Sequence, residues 1–179
     1  STTYFDKKVL VPFGEFVPFR KYIGFMDFIS GSIDFSKGTN ERIINTKNEI
    51  SFIPIICYEI IFFWKLINKE NNYSNLLINI TNDFWFGDYI GPYQHFYLSK
   101  LRAAEFNKNL IRVSNNGISS IIDNNGNILV SSELNKKDKL NYKLLINDEK
   151  NLIILHKILG YILTIFCFIS LFVLKLKDE

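Results

Sequence analysis

Cys57 closes an apolar run, Ile55-Ile56-Cys57-Tyr58-Glu59. A side chain at the carboxyl end of a strand projects into the crevice where α/β folds carry their sites. A thiolate there can act as the nucleophile of an acyl transfer. Residues 60–67 are compatible with a helix, whose dipole and free N–H groups would favour the thiolate at its N-terminus. The alternative is a buried structural cysteine, the usual state of a single cysteine. Cys167, the other cysteine, lies in an apolar run without polar neighbours and is read as inert. Lys7 precedes a short apolar stretch that ends in Pro12-Phe13-Gly14-Glu15. A lysine entering such a site can donate to an oxyanion, and a glutamate can hold it by a charge-assisted hydrogen bond. The alternative is a solvated pair, Lys7 and Lys8, beside a turn carboxylate. Asp6, the only acidic residue before Lys7, is expected to point to the opposite face of a strand. Further on, Asn82-Asp83-Phe84-Trp85-Phe86-Gly87-Asp88 holds two carboxylates and a Trp in seven residues. That composition suits a loop that excludes water while presenting hydrogen-bonding groups.

These residues need a scaffold. Residues 8–11, 50–56, 75–80, 111–114, 118–122, 128–130 and 139–146 read as strands. Residues 97–107 have helical spacing. Asp123-Asn124-Asn125-Gly126 is a hairpin turn signal between two of the strands. The near-continuous apolar strands suggest a sheet covered on both faces. Residues 132–139 form a polar connector.

The chain has 179 residues, 47% hydrophobic and 16% aromatic, so there is ample apolar surface for a core. A net charge of +3, evenly spread, gives no footprint for nucleic acid. Two Cys and two His, scattered, make neither a disulfide framework nor a structural zinc site. The richness in Asn, Ile and Lys reads as drift toward AT-rich codons. From residue 158 to 174 there is no charge, with Lys157 before the run and Lys175 and Lys177 after it. This suits a transmembrane helix over about 155–175. A core helix is rarely apolar on every face for so long. The basic residues favour a cytoplasmic C-terminus, with everything before the span outside the cytoplasm.

Taken together, the motifs resemble those of the apolipoprotein N-acyltransferases, membrane enzymes with a nitrilase-like, carbon–nitrogen hydrolase domain. The matching pieces are residues 10–15 with Val17-Pro18, Ile56-Cys57-Tyr58-Glu59, residues 82–88, Gly91-Pro92-Tyr93-Gln94-His95, Arg102-Ala103-Ala104-Glu105 and residues 115–119. The resemblance implies an α/β fold: a partial nitrilase-like α-β-β-α sandwich over 1–148, then an anchor over 149–179 with one C-terminal transmembrane helix. It implies an acyl chain taken from a phospholipid, held as a thioester on Cys57, and passed to the N-terminal diacylglyceryl-cysteine of an apolipoprotein. Lys7 would be the catalytic lysine, Glu15 and Glu59 the supporting carboxylates, and Trp85 part of the loop lining the site. Lys7 and the backbone N–H of Tyr58 are the candidate oxyanion donors. No cofactor or metal is implied. The implied location is the bacterial inner membrane, with the catalytic domain on the periplasmic side.

Two departures stand out. The family's general-base Glu, and the membrane helices before it, have no counterpart in these residues. The chain is therefore expected to correspond to about the last third of the enzyme, to need that N-terminal part as a partner, and to be inactive by itself. Phe84 and Tyr89 stand where small residues are expected. Residues 16–28, dense in aromatics around Arg20 and Lys21, are expected to form a lipid-facing arm, with a core helix as the alternative. Two other functions compete: a membrane-anchored carbon–nitrogen hydrolase such as an amidase, and a non-catalytic fragment.

Overall fold

The computed structural model describes residues 4–22, 34–47, 50–68, 73–145 and 153–177. Among them runs one mixed sheet in the order β1 (Ile44–Asn45), β2 (Ser51–Ile56), β3 (Leu76–Asn82), β4 (Asn109–Asn115), β5 (Ser120–Ile122) and β6 (Ile128–Ser131). β2, β3 and β4 are parallel. β1, β5 and β6 pair antiparallel with their neighbours. A 3-10 turn at Cys57–Ile61 and the short helix α1 (Phe63–Leu66) lead from β2 toward β3. A second 3-10 turn at Asp83–Phe86 and the long helix α2 (Ile90–Phe106) join β3 to β4. Parallel neighbours need such crossovers, because a tight turn cannot connect them.

Strand alternation sorts the side chains into two faces. On one face Ile53, Leu77, Leu110 and Ile122 line up in register. They pack with Ile55, Ile60, Phe96, Ala103 and Phe106 into the hydrophobic core under α2. On the other face Ile56, Ile80 and Val113 line up, and Ile80 and Val113 are more than half exposed.

The expected strands at 50–56, 75–80, 111–114, 118–122 and 128–130 are present, within a few residues. The hairpin turn closes as expected. Asp123 N–H donates to the Asn127 carbonyl, the Asp123 carboxylate accepts from the N–H groups of Asn125 and Asn127, and Gly126 takes a φ of 84°. Three expectations need correction. Residues 8–11 form no strand, although Val9 and Leu10 are buried; a carboxylate takes the N–H groups that a neighbouring strand would have used. Residues 139–145 are irregular, with Leu145 74% exposed, and residue 146 lies outside the described residues. The helix expected from residue 97 begins at Ile90 instead. Pro92 does not stop it, because a proline in the first turn forfeits only an N–H that has no partner there. α2 ends at Asn107, a left-handed residue whose N–H returns to the Ala103 and Ala104 carbonyls.

A third helix, α3 (Ile153–Lys177), runs for 25 residues. Side chains are described over 158–170, and 158–169 are all exposed. Over the described residues no helix is long and apolar enough to cross a membrane. Of the expected arm, Phe19 and Tyr22 are exposed in turns, Arg20 pairs with Asp34 at 2.5 Å, and residues 23–28 lie outside the described residues.

Candidate active site

Cys57 sits where β2 ends and the 3-10 turn begins, partly buried, with a φ of 53°. A non-glycine residue in the left-handed region costs on the order of 1–3 kcal/mol, and persists only where its surroundings dictate it. The turn that follows has five residues, so little helix dipole reaches the thiol and the chain bend is the stronger device.

Glu59, two residues on, is fully buried. Its Oε1 accepts the N–H groups of Lys8 at 2.8 Å and Val9 at 2.9 Å, and its Oε2 accepts that of Ile56 at 2.8 Å. Arg42 closes the set with Nη2 at 2.7 Å from Oε1 and Nη1 at 3.1 Å from Oε2. Burial alone would raise the Glu59 carboxyl. Arg42 and the N–H groups of Ile56 and Val9 outweigh it and hold the group below its ordinary value. Glu59 thus ties the segment that carries Lys7 to the bend that carries Cys57.

Lys7 Nζ donates to Glu15 Oε1 at 2.6 Å, as the sequence suggests, and Glu15 Oε2 accepts the Val11 N–H at 2.9 Å. Both side chains line a cavity of about 410 Å³ whose far wall is residues 35–39. Asp6, an exposed residue, borders the same cavity, and residues 4–8 form no strand.

Behind Cys57 lies a polar cluster that sequence reasoning did not assemble. Arg112 is fully buried. It donates to Asn79 Oδ1 at 2.5 Å, Ser99 Oγ at 3.1 Å, Asp83 Oδ2 at 2.6 Å and the Ile118 carbonyl at 3.2 Å. Asn79 Nδ2 reaches the carbonyls of Ile55 at 3.1 Å and Cys57 at 3.4 Å. Asp83 also holds His95 Nδ1 at 2.8 Å and Ser114 Oγ at 2.8 Å. The His95 ring meets Phe86 and Tyr58, with centroids 4.9 and 6.1 Å away. Gly117 leaves room for the cluster: a Cβ there would collide with Asp83 Oδ2 and Ser114 Oγ. Burial draws Arg112 below its ordinary value, against the attraction of Asp83 and, more weakly, of Cys57.

Trp85 is 85% exposed and Phe84 and Tyr89 also face outward; Phe86, from the same loop, is the residue that stacks on Tyr58. The structure therefore pairs Lys7 with Glu15, ties the backbone of the adjacent Lys8 and Val9 through Glu59 to the start of the Cys57 bend, and leaves Trp85 in solvent. Arg102 and Glu105 pair with each other along α2, and Arg102 lies over the Phe63 ring. Their part is to pack α1 against α2. No group of acidic, His and Cys side chains able to hold a metal ion occurs among the described residues.

Asp83 gives the cluster an acid signature. Burial would raise its carboxyl, but His95, Arg112 and Ser114 hold it down at about 2 against an ordinary 3.8. A lowered folded value stabilises the fold above the unfolded value, and that contribution is lost as pH falls through the folded one. It amounts to about 2 kcal/mol. Wild-type protein should lose this amount between about pH 5 and pH 2, measured by denaturant unfolding. Asp83→Asn should be weaker at neutral pH and lack this part of the pH slope. Parallel pH curves for the two would refute the assignment.

Residues 16–148 match the family described as Carbon-nitrogen hydrolase. The chain is similar to the apolipoprotein N-acyltransferase of Rickettsia typhi (strain ATCC VR-144 / Wilmington), with 42% identity over 132 residues, covering 74% of this chain and 26% of that protein. It is equally similar to that of Brucella melitensis biotype 1, with 42% identity over 132 residues, covering 72% and 25%. A solved carbon–nitrogen hydrolase superfamily protein from Xanthomonas campestris superposes with a TM-score of 0.49 at 18% identity, covering 75% of this chain and 49% of that one. The chain spans about a quarter of the length of the curated relatives it matches.

Proposed function

Because this chain belongs to the carbon–nitrogen hydrolase family, we propose that it carries the nucleophile of an N-acyltransferase of lipoprotein maturation. Cys57 Sγ, as thiolate, attacks the ester carbonyl of a phospholipid. A C–S bond forms, the C–O bond breaks, and a lysophospholipid leaves with the proton that the Cys57 thiol gave up to the general base of the N-terminal part. The α-amino group of a diacylglyceryl-cysteine then attacks the thioester. A C–N bond forms, the C–S bond breaks, the amine gives up a proton, and the thiolate returns. One difficult acyl transfer is thereby split into two easier ones. Lys7, held by Glu15, and the backbone N–H of Tyr58 stabilise the oxyanion of each step. The observation that carries this reading is the buried Glu59 carboxylate, which binds the Lys7–Val9 segment to the Cys57 bend. Similarity to apolipoprotein N-acyltransferases supports the choice of acceptor.

A lipid donor places the reaction at a membrane, and α3 supplies the anchor in this reading. The described side chains, 158–170, are too few to span by themselves, and this reading takes in the whole 25-residue helix, about 37 Å long against a hydrocarbon core of about 30 Å. Its exposed residues include Ile158, Leu159 and Leu163 on one side of the helix and Tyr161, Ile165 and Phe168 on the other. Thr164 and Ser170 donate their hydroxyls back to carbonyls of the same helix, at 3.0 Å to Gly160 and 2.8 Å to Cys167. That is how hydroxyls are accommodated away from water. The catalytic residues then lie on the periplasmic side of the inner membrane, and exposed Phe19 and Tyr22 belong to the arm that meets the lipid.

The test uses membranes containing the full-length enzyme, in which this chain is completed by the N-terminal part, with phospholipid and a lipopeptide with an N-terminal diacylglyceryl-cysteine. Mass spectrometry should find an acyl thioester on Cys57 and an acylated amine on the lipopeptide. Release of free fatty acid or ammonia without N-acylation would favour the hydrolase reading instead. Lys7→Ala should slow transfer about a hundredfold, or about 3 kcal/mol of transition-state stabilisation. Lys8→Ala should be nearly silent, because Lys8 contributes its backbone N–H to Glu59. Equal losses from both substitutions would assign the oxyanion role elsewhere.

A further inference from the structure

The cluster behind Cys57 has no place in the acyl-transfer steps, yet it is the most fully buried polar assembly among the described residues. Its members come from β3, α2, β4 and the Asp83–Phe86 turn, and they converge on one bond pair. The Asn79 carboxamide sits on β3 opposite Ile55 and donates to the carbonyls on both sides of Ile56, those of Ile55 and Cys57. Its own oxygen is fixed by Arg112, which Asp83, Ser99 and the Ile118 carbonyl fix in turn. Asp83 is fixed by His95 and Ser114, and Gly117 admits it.

We propose that Asn79, oriented by Arg112 and Asp83, is a positioning residue that holds the main chain of Cys57 in its left-handed conformation. The inference deepens the reading of Cys57 as the nucleophile and rests on it for its catalytic meaning. Three observations carry it. Cys57 has a positive φ that a non-glycine residue does not adopt by preference. Asn79 is the side chain whose donors span the bend at which that φ occurs. Arg112 donates to the oxygen of that side chain, so the Asn79 amide is oriented with its N–H groups toward β2. A bend held this way lets the thiol leave the plane of the sheet without a glycine at the nucleophile position.

Two measurements test this without requiring acyl transfer, so a failure of the functional reading would not be mistaken for a failure of the inference. The first is a double-mutant cycle by denaturant unfolding in detergent. Glycine adopts a φ near 53° freely, so Cys57→Gly removes what Asn79 works against. The midpoint shift caused by Asn79→Ala should fall to about half or less in the Cys57→Gly background. Phe106→Leu, in the apolar core and outside the polar cluster, should shift both backgrounds equally. The second measurement uses the fact that the chain has two cysteines. Carbon-13 labelling of cysteine gives two Cα signals, and the Cα shift reports backbone conformation. Asn79→Asp keeps an acceptor for Arg112 and loses both donors; it should move or split the Cys57 signal and leave that of Cys167 in place. Arg112→Lys should do so to a smaller extent. An equal midpoint shift of Asn79→Ala in both backgrounds, or an unmoved Cys57 signal in Asn79→Asp, would overturn the proposal. If Asn79→Ala folds only alongside Cys57→Gly, the coupling is shown directly.

Discussion

Cys57→Ala should abolish acyl transfer, with a loss of at least about 10⁴-fold, because it removes the atom on which the acyl chain is held. Cys167→Ala should keep full activity: Cys167 lies exposed on α3, and the substitution keeps the backbone carbonyl that accepts the Ser170 hydroxyl. The pair controls for cysteine loss as such. Cys57→Ala also keeps a Cβ at the left-handed position, so the bend remains under the same restraint and the protein should unfold near the wild-type midpoint. Both substitutions are made in the full-length enzyme, and rates are read as N-acylated lipopeptide per unit time. Thioester mapping on the Cys167→Ala protein should still find the chain on Cys57. Turnover in Cys57→Ala membranes, or an acyl group on Cys167, would sink the assignment.

The second large effect is structural. Arg42→Met should destabilise the fold by about 3–5 kcal/mol, since it leaves the buried Glu59 charge without its cation. Single domains have about 5–15 kcal/mol in total, so the variant should be close to unfolding at room temperature. Apolar replacement of a whole buried pair is often harmless, but that escape is closed here. Glu59 also serves the N–H groups of Lys8, Val9 and Ile56, and Glu59→Leu would leave three donors without their acceptor. Combining Arg42→Met with Glu59→Leu should therefore not restore stability. Arg20→Met, at the exposed Arg20–Asp34 pair, is the control and should hardly move the unfolding midpoint. Similar losses at Arg20 and Arg42 would mean that burial of the Glu59 pair does not matter.

What could be read ahead of the structure followed from local chemistry. The parallel strands and the hairpin have unbroken apolar runs and turn residues, and they stand where expected. Lys7 finds Glu15 across eight residues because the turn at 12–15 is short. Long-range substitution of one partner for another was less visible. Residues 8–11 have the composition of a strand, but a side chain from 51 residues away satisfies their backbone. Arg42 has no local signature at all; its meaning comes from Glu59. Asn79 and Arg112 did leave a trace. Each is a polar residue inside an apolar strand, and the β3–β4 register sets them side by side. A polar residue at the centre of a core strand needs a partner. That two such strands supply each other becomes evident only once their register is known.

Gly117 bears on how this gene can change. Read as drift toward A and T, the richness in Asn, Ile and Lys meets an obstacle in glycine codons, which open with two G. Nine glycines remain. A single change in the first two bases of the Gly117 codon yields serine, aspartate, valine or another residue with a side chain. Each would set a Cβ against Asp83 Oδ2. The base composition can rewrite solvent-facing positions freely, but it finds no neutral exit here: the buried carboxylate holds those two nucleotides in place.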